Sequence, residues 1–243
     1  MAPPGEFFID RAMRLIARYL AACKLRTVAR GTENLPALGP ALIVARHYHH
    51  LFDGLALFAA LRRRFHIVVT MDWVANRRTK FFMWTINRMA RWPMLLRTDS
   101  LQRRGNDRRS LFSSSDVLRY QRRALRQAVE LLVEGRIVVV FPEGYPNIDP
   151  TYTPKSAPDQ FLPFKSGFVN ILRAAEGRLG TEIPVIPAGL RYQRGKIWTG
   201  HLTFGKPICR DRGVDRNALI GVLEKEVKKL SGFAVDENPL AEK

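Results

Sequence analysis

The chain alternates between short apolar runs and longer segments of helical period. Short apolar runs bounded by turn residues predict strands, which fall at residues 24–30, 41–45, 65–71, 137–141, 183–190 and 197–204. Apolar residues that recur every three or four positions predict helices, which fall at residues 7–22, 55–61, 79–92, 116–134, 164–175 and 215–230. This alternation predicts a single α/β domain with a mixed, mostly parallel sheet flanked by helices.

The predicted N-terminal helix is amphipathic. At about 100° per residue, its charged side chains collect on one side, namely Asp10, Arg11, Arg14 and Arg18. Its apolar side chains collect on the other side, namely Phe8, Ala12, Leu15, Ile16 and Tyr19. Such a helix either lies in a membrane interface or docks on the core with its charged face in water. Both interpretations stay open, and we predict a membrane-associating helix at residues 1–24 ahead of the α/β domain at residues 25–243.

The charge of the chain restricts its partners. Lys and Arg total 40 against 22 Asp and Glu, which gives a net charge of +18. A charge of this size favours nucleic acid, an anionic membrane surface or a polyanionic substrate as partner. No apolar run reaches the roughly 18 residues needed to span a bilayer, and we expect neither a transmembrane helix nor a signal peptide. The two cysteines, Cys23 and Cys209, predict no disulfide framework, so a reducing interior is the expected compartment.

Three of the five histidines follow the predicted strand at residues 41–45. They are His47, His49 and His50, and Asp53 comes just after them. Because a helix is predicted next, this group lies in a strand-to-helix turn, where α/β proteins place their chemistry. A structural turn needs one polar side chain or cap, not three imidazoles and a carboxylate. A histidine oriented by a carboxylate is a general base, so the group predicts a catalytic site.

The remaining polar residues at strand ends indicate what the base would act on. No serine or cysteine lies in a nucleophile-elbow context, so the base would activate a hydroxyl brought by the substrate. Arg97 and Glu143 each follow a predicted strand or short apolar run, and Lys165 lies at a predicted helix start. An arginine fork and a lysine point charge hold phosphate groups. The combination predicts acyl or phosphoryl transfer to an alcohol on a phosphate-bearing acceptor.

The histidine segment at 47–53 and five further blocks of sequence carry a family resemblance. The five blocks are Leu-Leu-Arg at 95–97, Phe-Pro-Glu-Gly at 141–144 and Ile-Pro-Val-Ile-Pro at 183–187, with lesser signatures at 164–167 and 204–208. In this order, over roughly residues 26–208, they resemble the 1-acylglycerol-3-phosphate acyltransferase (lysophospholipid acyltransferase) family. Each block alone is a weak indication, whereas the ordered set is a strong one.

The chain departs from the family pattern at two places. The family carries His-x4-Asp, but counting back from Asp53 this position holds Tyr48, with His47 and His49 on either side. Counted forward from the end of the predicted strand at 41–45, His47 takes the place of the family histidine. We therefore predict His47 as the base. His49 is the alternative, because residues i and i+4 share one helix face. The third block continues Tyr-Pro-Asn at 145–147, where the family usually has Thr-Arg, so one acceptor-binding cation is missing.

The resemblance implies a reaction and its partners. A fatty acyl group would pass from a thioester, acyl-CoA or acyl-carrier protein, to a hydroxyl of a lysophosphatidate-like glycerolipid in phospholipid biosynthesis, with no cofactor and no metal. The implied site residues are His47 or His49 with Asp53 for catalysis, and Arg97, Glu143, Gly144 and Lys165 for substrate binding. Glu143 would either anchor its turn or hydrogen-bond the acceptor. The implied location is peripheral, on the cytoplasmic face of the cell membrane, at an anionic lipid surface.

Two other functions fit parts of the sequence. A basic chain with aromatic–arginine runs resembles a nucleic-acid-binding protein, but its basic residues are scattered and no such fingerprint occurs, so we expect no nucleic-acid partner. A metal-dependent hydrolase would use His47, His49, His50 and Asp53. The other two histidines, His66 and His201, lie in no ligand-like cluster.

Overall fold

The computed structural model describes residues 4–99, 111–150, 152–157, 159–208 and 215–233. The polar, arginine-rich sequence at residues 101–115 predicts a loop. This segment falls largely outside the described residues, as does Cys209.

The elements follow the predicted order closely. The strands are β1 Leu25–Arg30, β2 Ala41–Ala45, β3 Phe65–Ile67, β4 Val69–Thr70, β5 Met94–Leu95, β6 Ile137–Val140, β7 Val185–Gln193 and β8 Trp198–Phe204. The helices are α1 Pro4–Cys23, α2 Phe52–Ala60, α3 Arg77–Met89, α4 Ser114–Val133, α5 Gly167–Leu179 and α6 Arg216–Leu230.

The described strands form one main sheet in the order β1-β8-β7-β2-β6-β3 and a separate pair, β4-β5. All neighbours are parallel except β7 and β8, which are antiparallel. The prediction of a single α/β domain with a mixed, mostly parallel sheet between helices is confirmed. Because the carboxyl ends of parallel strands share one edge, β2 and β6 bring their following turns together there.

The strand predicted over residues 65–71 is wrong as one element. The backbone N–H of Val68 still donates to Val139 of the main sheet (3.0 Å), but the next N–H, of Val69, donates to Pro93 (2.9 Å). The chain therefore leaves the main sheet as β3 and joins β5 as β4. This switch places Asp72, two residues past β4, beside Arg97, which lies two residues past β5.

The central strands β2 and β6 are buried on both faces, as expected for parallel strands covered by helices. All five residues of β2 are buried, and they alternate between two apolar layers. Ile43 and Ala45 pack in the layer that contains α2, and Leu42 and Val44 pack in the layer that contains α4, α5 and α6. The strand that leads to the histidines is thus held firmly from both sides.

Helix α1 docks on the domain with an unexpected face. Met13, Ala17 and Leu20 contact the core, and Arg14 donates hydrogen bonds to the carbonyls of Leu61 (2.6 Å) and Arg63 (2.9 Å). The predicted apolar side points mostly away from the domain, with Phe8 67% exposed and Tyr19 71% exposed. The charged face of α1 was expected to lie in water if the helix docked on the core, and for Arg14 this expectation is wrong. Most of the apolar side chains of α1 lie outside the core.

Candidate active site

Asp53 is the buried centre of the histidine turn. It lies in the first turn of α2 and is 1% exposed. Its carboxylate accepts hydrogen bonds from the backbone N–H groups of Tyr48 (2.7 Å) and His49 (3.1 Å) and from the hydroxyl of Tyr192 (2.8 Å). Burial, together with the nearby Asp53, raises the pKa of Tyr192 well above its usual value, so its hydroxyl stays a donor. These donors satisfy the buried carboxylate and hold it in one orientation.

His47 is the imidazole paired with that carboxylate. Its Nδ1 lies 2.8 Å from Oδ2 of Asp53, and its ring stacks on Phe141 with the centroids 4.4 Å apart. A carboxylate accepts but does not donate, so Nδ1 carries the proton when the ring is neutral and Nε2 is left as the acceptor. No residue in the described ranges hydrogen-bonds Nε2, and the side chain is 18% exposed. A basic nitrogen therefore faces the accessible side of the turn.

His49, the alternative base, has a different task. Its Nδ1 accepts hydrogen bonds from the backbone N–H groups of Leu51 (3.2 Å) and Phe52 (3.3 Å) at the start of α2. Only its backbone, not its ring, contacts Asp53. Burial, reinforced by the neighbouring His50, lowers the pKa of His49 to about 4 despite the opposing charge of Asp53. Its ring is thus neutral at pH 7 and acts as a cap for the helix start.

His50, the third histidine, has a different hydrogen-bond partner. Nδ1 of His50 lies 3.2 Å from the carbonyl oxygen of Ile148, in the loop after β6. The three neighbouring imidazoles thus make three separate sets of hydrogen bonds. Over the ranges that the structure describes, no group of three His, Cys, Asp or Glu side chains is arranged to hold a metal ion.

Glu143 is buried in the turn after β6 and is 0% exposed. One carboxylate oxygen accepts from the backbone N–H of His47 (2.9 Å), and the other accepts from Nζ of Lys155 (2.6 Å) and the N–H of Leu162 (3.0 Å). Both oxygens are therefore occupied by protein donors. These are the contacts of an anchor that fixes the β6 turn against the histidine turn.

Lys155 is a site residue that the sequence does not reveal. Its side chain is fully buried, and Nζ also donates to the carbonyl of His47 (3.0 Å) and to Oδ1 of Asn147 (2.9 Å). Burial lowers its pKa, and the facing Glu143 opposes that shift. The lysine thus ties the proline-rich loop at 147–163 to the backbone of the predicted base. A lysine in a loop carries no sequence sign of burial, because lysines are mostly exposed.

Arg97 lies just past β5 and is already paired. Its Nε and Nη2 donate to the carboxylate of Asp72 (3.1 and 2.7 Å), and Nη1 donates to the carbonyl of Gly144 (2.5 Å). The guanidinium also lies 3.9 Å from the ring centroid of Tyr145. Asp72 was missed, although it follows a predicted strand as the other site residues do. Through its contacts with Gly144 and Tyr145, Arg97 stabilises the turn at 141–145.

Lys165 is the more accessible cation at this edge. Its side chain is 54% exposed, and Nζ lies 3.5 Å from Oδ2 of Asp99. Burial raises the pKa of Asp99, but hydrogen bonding from Tyr145 and the charge of Lys165 outweigh it, so the net shift is downward. The Lys165 side chain lies against Gly144, whose φ of 77° favours glycine.

The structure therefore gathers the predicted site residues into two adjoining groups. His47 and Asp53 form one group, and Arg97, Gly144 and Lys165 form the other around the ring of Tyr145. The turn at 141–145 joins them, since Phe141 stacks on His47.

Comparison with known proteins agrees with this geometry. The fold is similar to the crystal structure of the 1-acyl-sn-glycerophosphate (LPA) acyltransferase PlsC from Thermotoga maritima, with a TM-score of 0.55 and 20% sequence identity over 92% of this chain and 77% of that chain. No curated protein matches the chain. The model of the Acyltransferase family matches residues 26–191, a span that contains both groups of site residues. The chain therefore belongs to the Acyltransferase family.

Proposed function

We propose that this acyltransferase acts in phospholipid biosynthesis and moves a fatty acyl group from a thioester to a hydroxyl of a lysophosphatidate-like glycerolipid. The observation that carries the proposal is the 2.8 Å pair between Nδ1 of His47 and Asp53, which leaves Nε2 basic at the accessible side of the turn. The described residues place no serine or cysteine on His47, so the nucleophile is the acceptor's own hydroxyl. The donor is acyl-CoA or acyl-carrier protein, and no further cofactor takes part.

The proposed reaction moves one proton twice. The acceptor hydroxyl donates to Nε2 of His47, which takes the proton as the oxygen attacks the thioester carbonyl carbon. The buried carboxylate of Asp53 stabilises the imidazolium that forms. When the tetrahedral intermediate collapses, the carbon–sulfur bond breaks and the leaving thiolate takes that proton. The products are an ester and a free thiol.

Glu143 and Lys155 serve this reaction as positioning residues. Glu143 accepts from the N–H of His47, and Lys155 donates to the carbonyl of the same residue. Both polar groups of the His47 backbone are therefore fixed by a buried ion pair. Of the two roles open to Glu143, its contacts support the anchor, because neither of its oxygens is exposed for an acceptor.

For the acceptor phosphate we propose Lys165 as the direct ligand. Its ammonium group is the exposed cation of the second group, whereas Arg97 is buried against Asp72. Arg97 then supports the phosphate site through Gly144 and the ring of Tyr145, and Gly144 leaves space for the lysine chain.

We further propose peripheral attachment to an anionic leaflet, on the cytoplasmic face. Helices α1 and α3 pack side by side, and each directs aromatic side chains into solvent. We call this the interfacial surface, and it consists of Phe8, Leu15, Ile16 and Tyr19 of α1 with Phe81, Phe82, Trp84 and Met89 of α3. Arginines flank these side chains on both helices, and the net charge of +18 complements anionic lipid. Within the described ranges, no helix is long and apolar enough to cross a bilayer.

Substitution of the two candidate bases tests the reaction. We expect His47→Ala to lower kcat by about 10² to 10⁴, the range typical of a lost general base. His49→Asn keeps an acceptor for the N–H groups of Leu51 and Phe52 and is expected to retain most of the activity. The measurement is acyl-CoA consumption with lysophosphatidate and glycerol 3-phosphate as acceptors. A parental rate in His47→Ala, or an equal loss in both variants, contradicts the assignment.

The titration of His49 predicts how stability depends on pH. Its pKa falls from 6.5 to about 4 on folding, so the unfolded chain binds more protons between these values. The contribution of His49 to stability is present above pH 6.5 and is lost as the pH falls toward 4. Asparagine does not titrate, so the free energy of unfolding of His49→Asn should fall less over this window. Urea denaturation at several pH values measures both slopes, and equal slopes would show that His49 is not buried and neutral.

Vesicle binding tests the interfacial surface. We expect Leu15→Glu/Phe81→Glu to lose at least about tenfold in affinity for anionic vesicles, because each side chain loses its apolar burial. The control Leu38→Glu/Val222→Glu makes the same charge change at two exposed apolar positions outside that surface. Binding of the wild type should weaken with salt. Equal binding by both variants, or binding of the wild type to zwitterionic vesicles as strong as to anionic ones, contradicts the proposal. A gel shift with nucleic acid, run in parallel, tests the alternative partner.

A further inference from the structure

A basic cleft of about 410 Å³ lies between the end of α3 and the second half of α4. Four arginines line it: Arg88 and Arg91 from the α3 side, and Arg123 and Arg126 from α4. The cleft is separate from the acceptor site. It reaches Met94 at the amino end of β5, whereas Arg97 follows the carboxyl end of the same strand.

Most of this charge has no counter-ion among the residues that the structure describes. Among the described residues, no carboxylate lies within ion-pair distance of Arg88, Arg123 or Arg126. Arg91 differs, because Glu134 holds its guanidinium with two hydrogen bonds of 2.7 Å. Like charges that converge on one cleft repel each other unless an anion lies between them, and guanidinium groups bind phosphate with two parallel hydrogen bonds. The cleft therefore suits a phosphate.

The cleft also contains acceptors that a bare phosphate does not satisfy. Asn87 is fully buried at the cleft, and its Oδ1 has no hydrogen-bond partner among the described residues. Glu130 lines the cleft as well, without an ion pair to any residue in the described ranges. A buried acceptor such as Oδ1 of Asn87 needs a donor. A ligand that carries hydroxyl groups beside its phosphate supplies one.

The position of the cleft indicates where such a ligand comes from. The guanidinium of Arg88 lies 5.5 Å from the ring centroid of Trp84, an exposed residue of the interfacial surface. One arginine thus belongs both to the cleft and to the helix proposed to lie on the membrane. A lipid headgroup in that leaflet reaches the cleft without leaving the bilayer.

We propose that the arginine cleft binds the headgroup of an anionic phospholipid, one whose phosphate is followed by hydroxyl groups as in phosphatidylglycerol. The arginines hold the phosphate, and Asn87 and Glu130 accept hydrogen bonds from the hydroxyls. This lipid is distinct from the acceptor, and it fixes the orientation of the enzyme on the membrane. The inference rests on the membrane attachment proposed above but not on the role of His47.

The test compares two variants that lose the same charge. The cleft variant is Arg123→Gln/Arg126→Gln, and the control variant is Arg122→Gln/Arg178→Gln, which changes exposed arginines of α4 and α5 outside the cleft. Binding is measured with vesicles of phosphatidylcholine that contain phosphatidylglycerol, and with vesicles in which phosphatidylethanol, of equal charge but without headgroup hydroxyls, replaces it. Calorimetry with soluble CoA tests whether the cleft binds a phosphate that does not come from a lipid.

We expect the cleft variant to bind phosphatidylglycerol vesicles at least about tenfold more weakly than the control variant, with the affinity for CoA unchanged. The wild type should prefer phosphatidylglycerol to phosphatidylethanol. Equal losses in both variants, a lost affinity for CoA in the cleft variant, or equal binding of the two anionic lipids overturns the assignment. If the wild type binds no anionic vesicle at all, the interfacial surface fails together with the cleft, whereas acyl transfer in solution is unaffected.

Discussion

The site depends on one buried carboxylate. Asp53 carries a full charge in an apolar interior, which is costly unless donors surround it. The protein supplies four such donors, from the imidazole of His47, the backbone N–H groups of Tyr48 and His49, and the hydroxyl of Tyr192. Three of the four come from the chain just before the carboxylate, so the same contacts that satisfy the charge also shape the turn. The form of the turn therefore depends on the contacts that Asp53 makes with the ring of His47 and with the backbone before it.

A second buried carboxylate holds the same turn from the opposite side. Glu143 accepts from the backbone of His47, and Lys155 neutralises it at 2.6 Å. Breaking a buried pair of this kind costs about 3–5 kcal/mol, because the remaining charge is left without a partner. Arg46 is a second buried cation, with its guanidinium 5.0 Å from the ring centroid of Tyr48. Burial lowers the pKa of Arg46, and the nearby charges of Glu143 and Asp53 oppose that shift. The ring of His47 is therefore held by Asp53 and its backbone by Glu143.

Much of the fold could be predicted from the sequence, because strands covered on both faces, such as β2 and β6, appear as unbroken apolar runs. The site segments were found by one rule, that polar residues past a strand end meet at a common edge. The division of residues 65–71 between two sheets could not be predicted, since it depends on Val139 and Pro93, which are distant in sequence. The face of α1 that packs against the domain could not be predicted either. An amphipathic period shows that two faces of a helix differ, but it does not show which of them packs against the protein.

The tautomer of His47 decides whether this turn can supply a base. The ¹⁵N chemical shifts of its ring nitrogens, measured at a pH where the ring is neutral, report which nitrogen carries the proton. We expect a protonated Nδ1 that faces Asp53 and a bare Nε2 that can accept the proton of an alcohol. A proton found on Nε2 with Nδ1 bare would contradict it, because the nitrogen on the accessible side could not then act as a base.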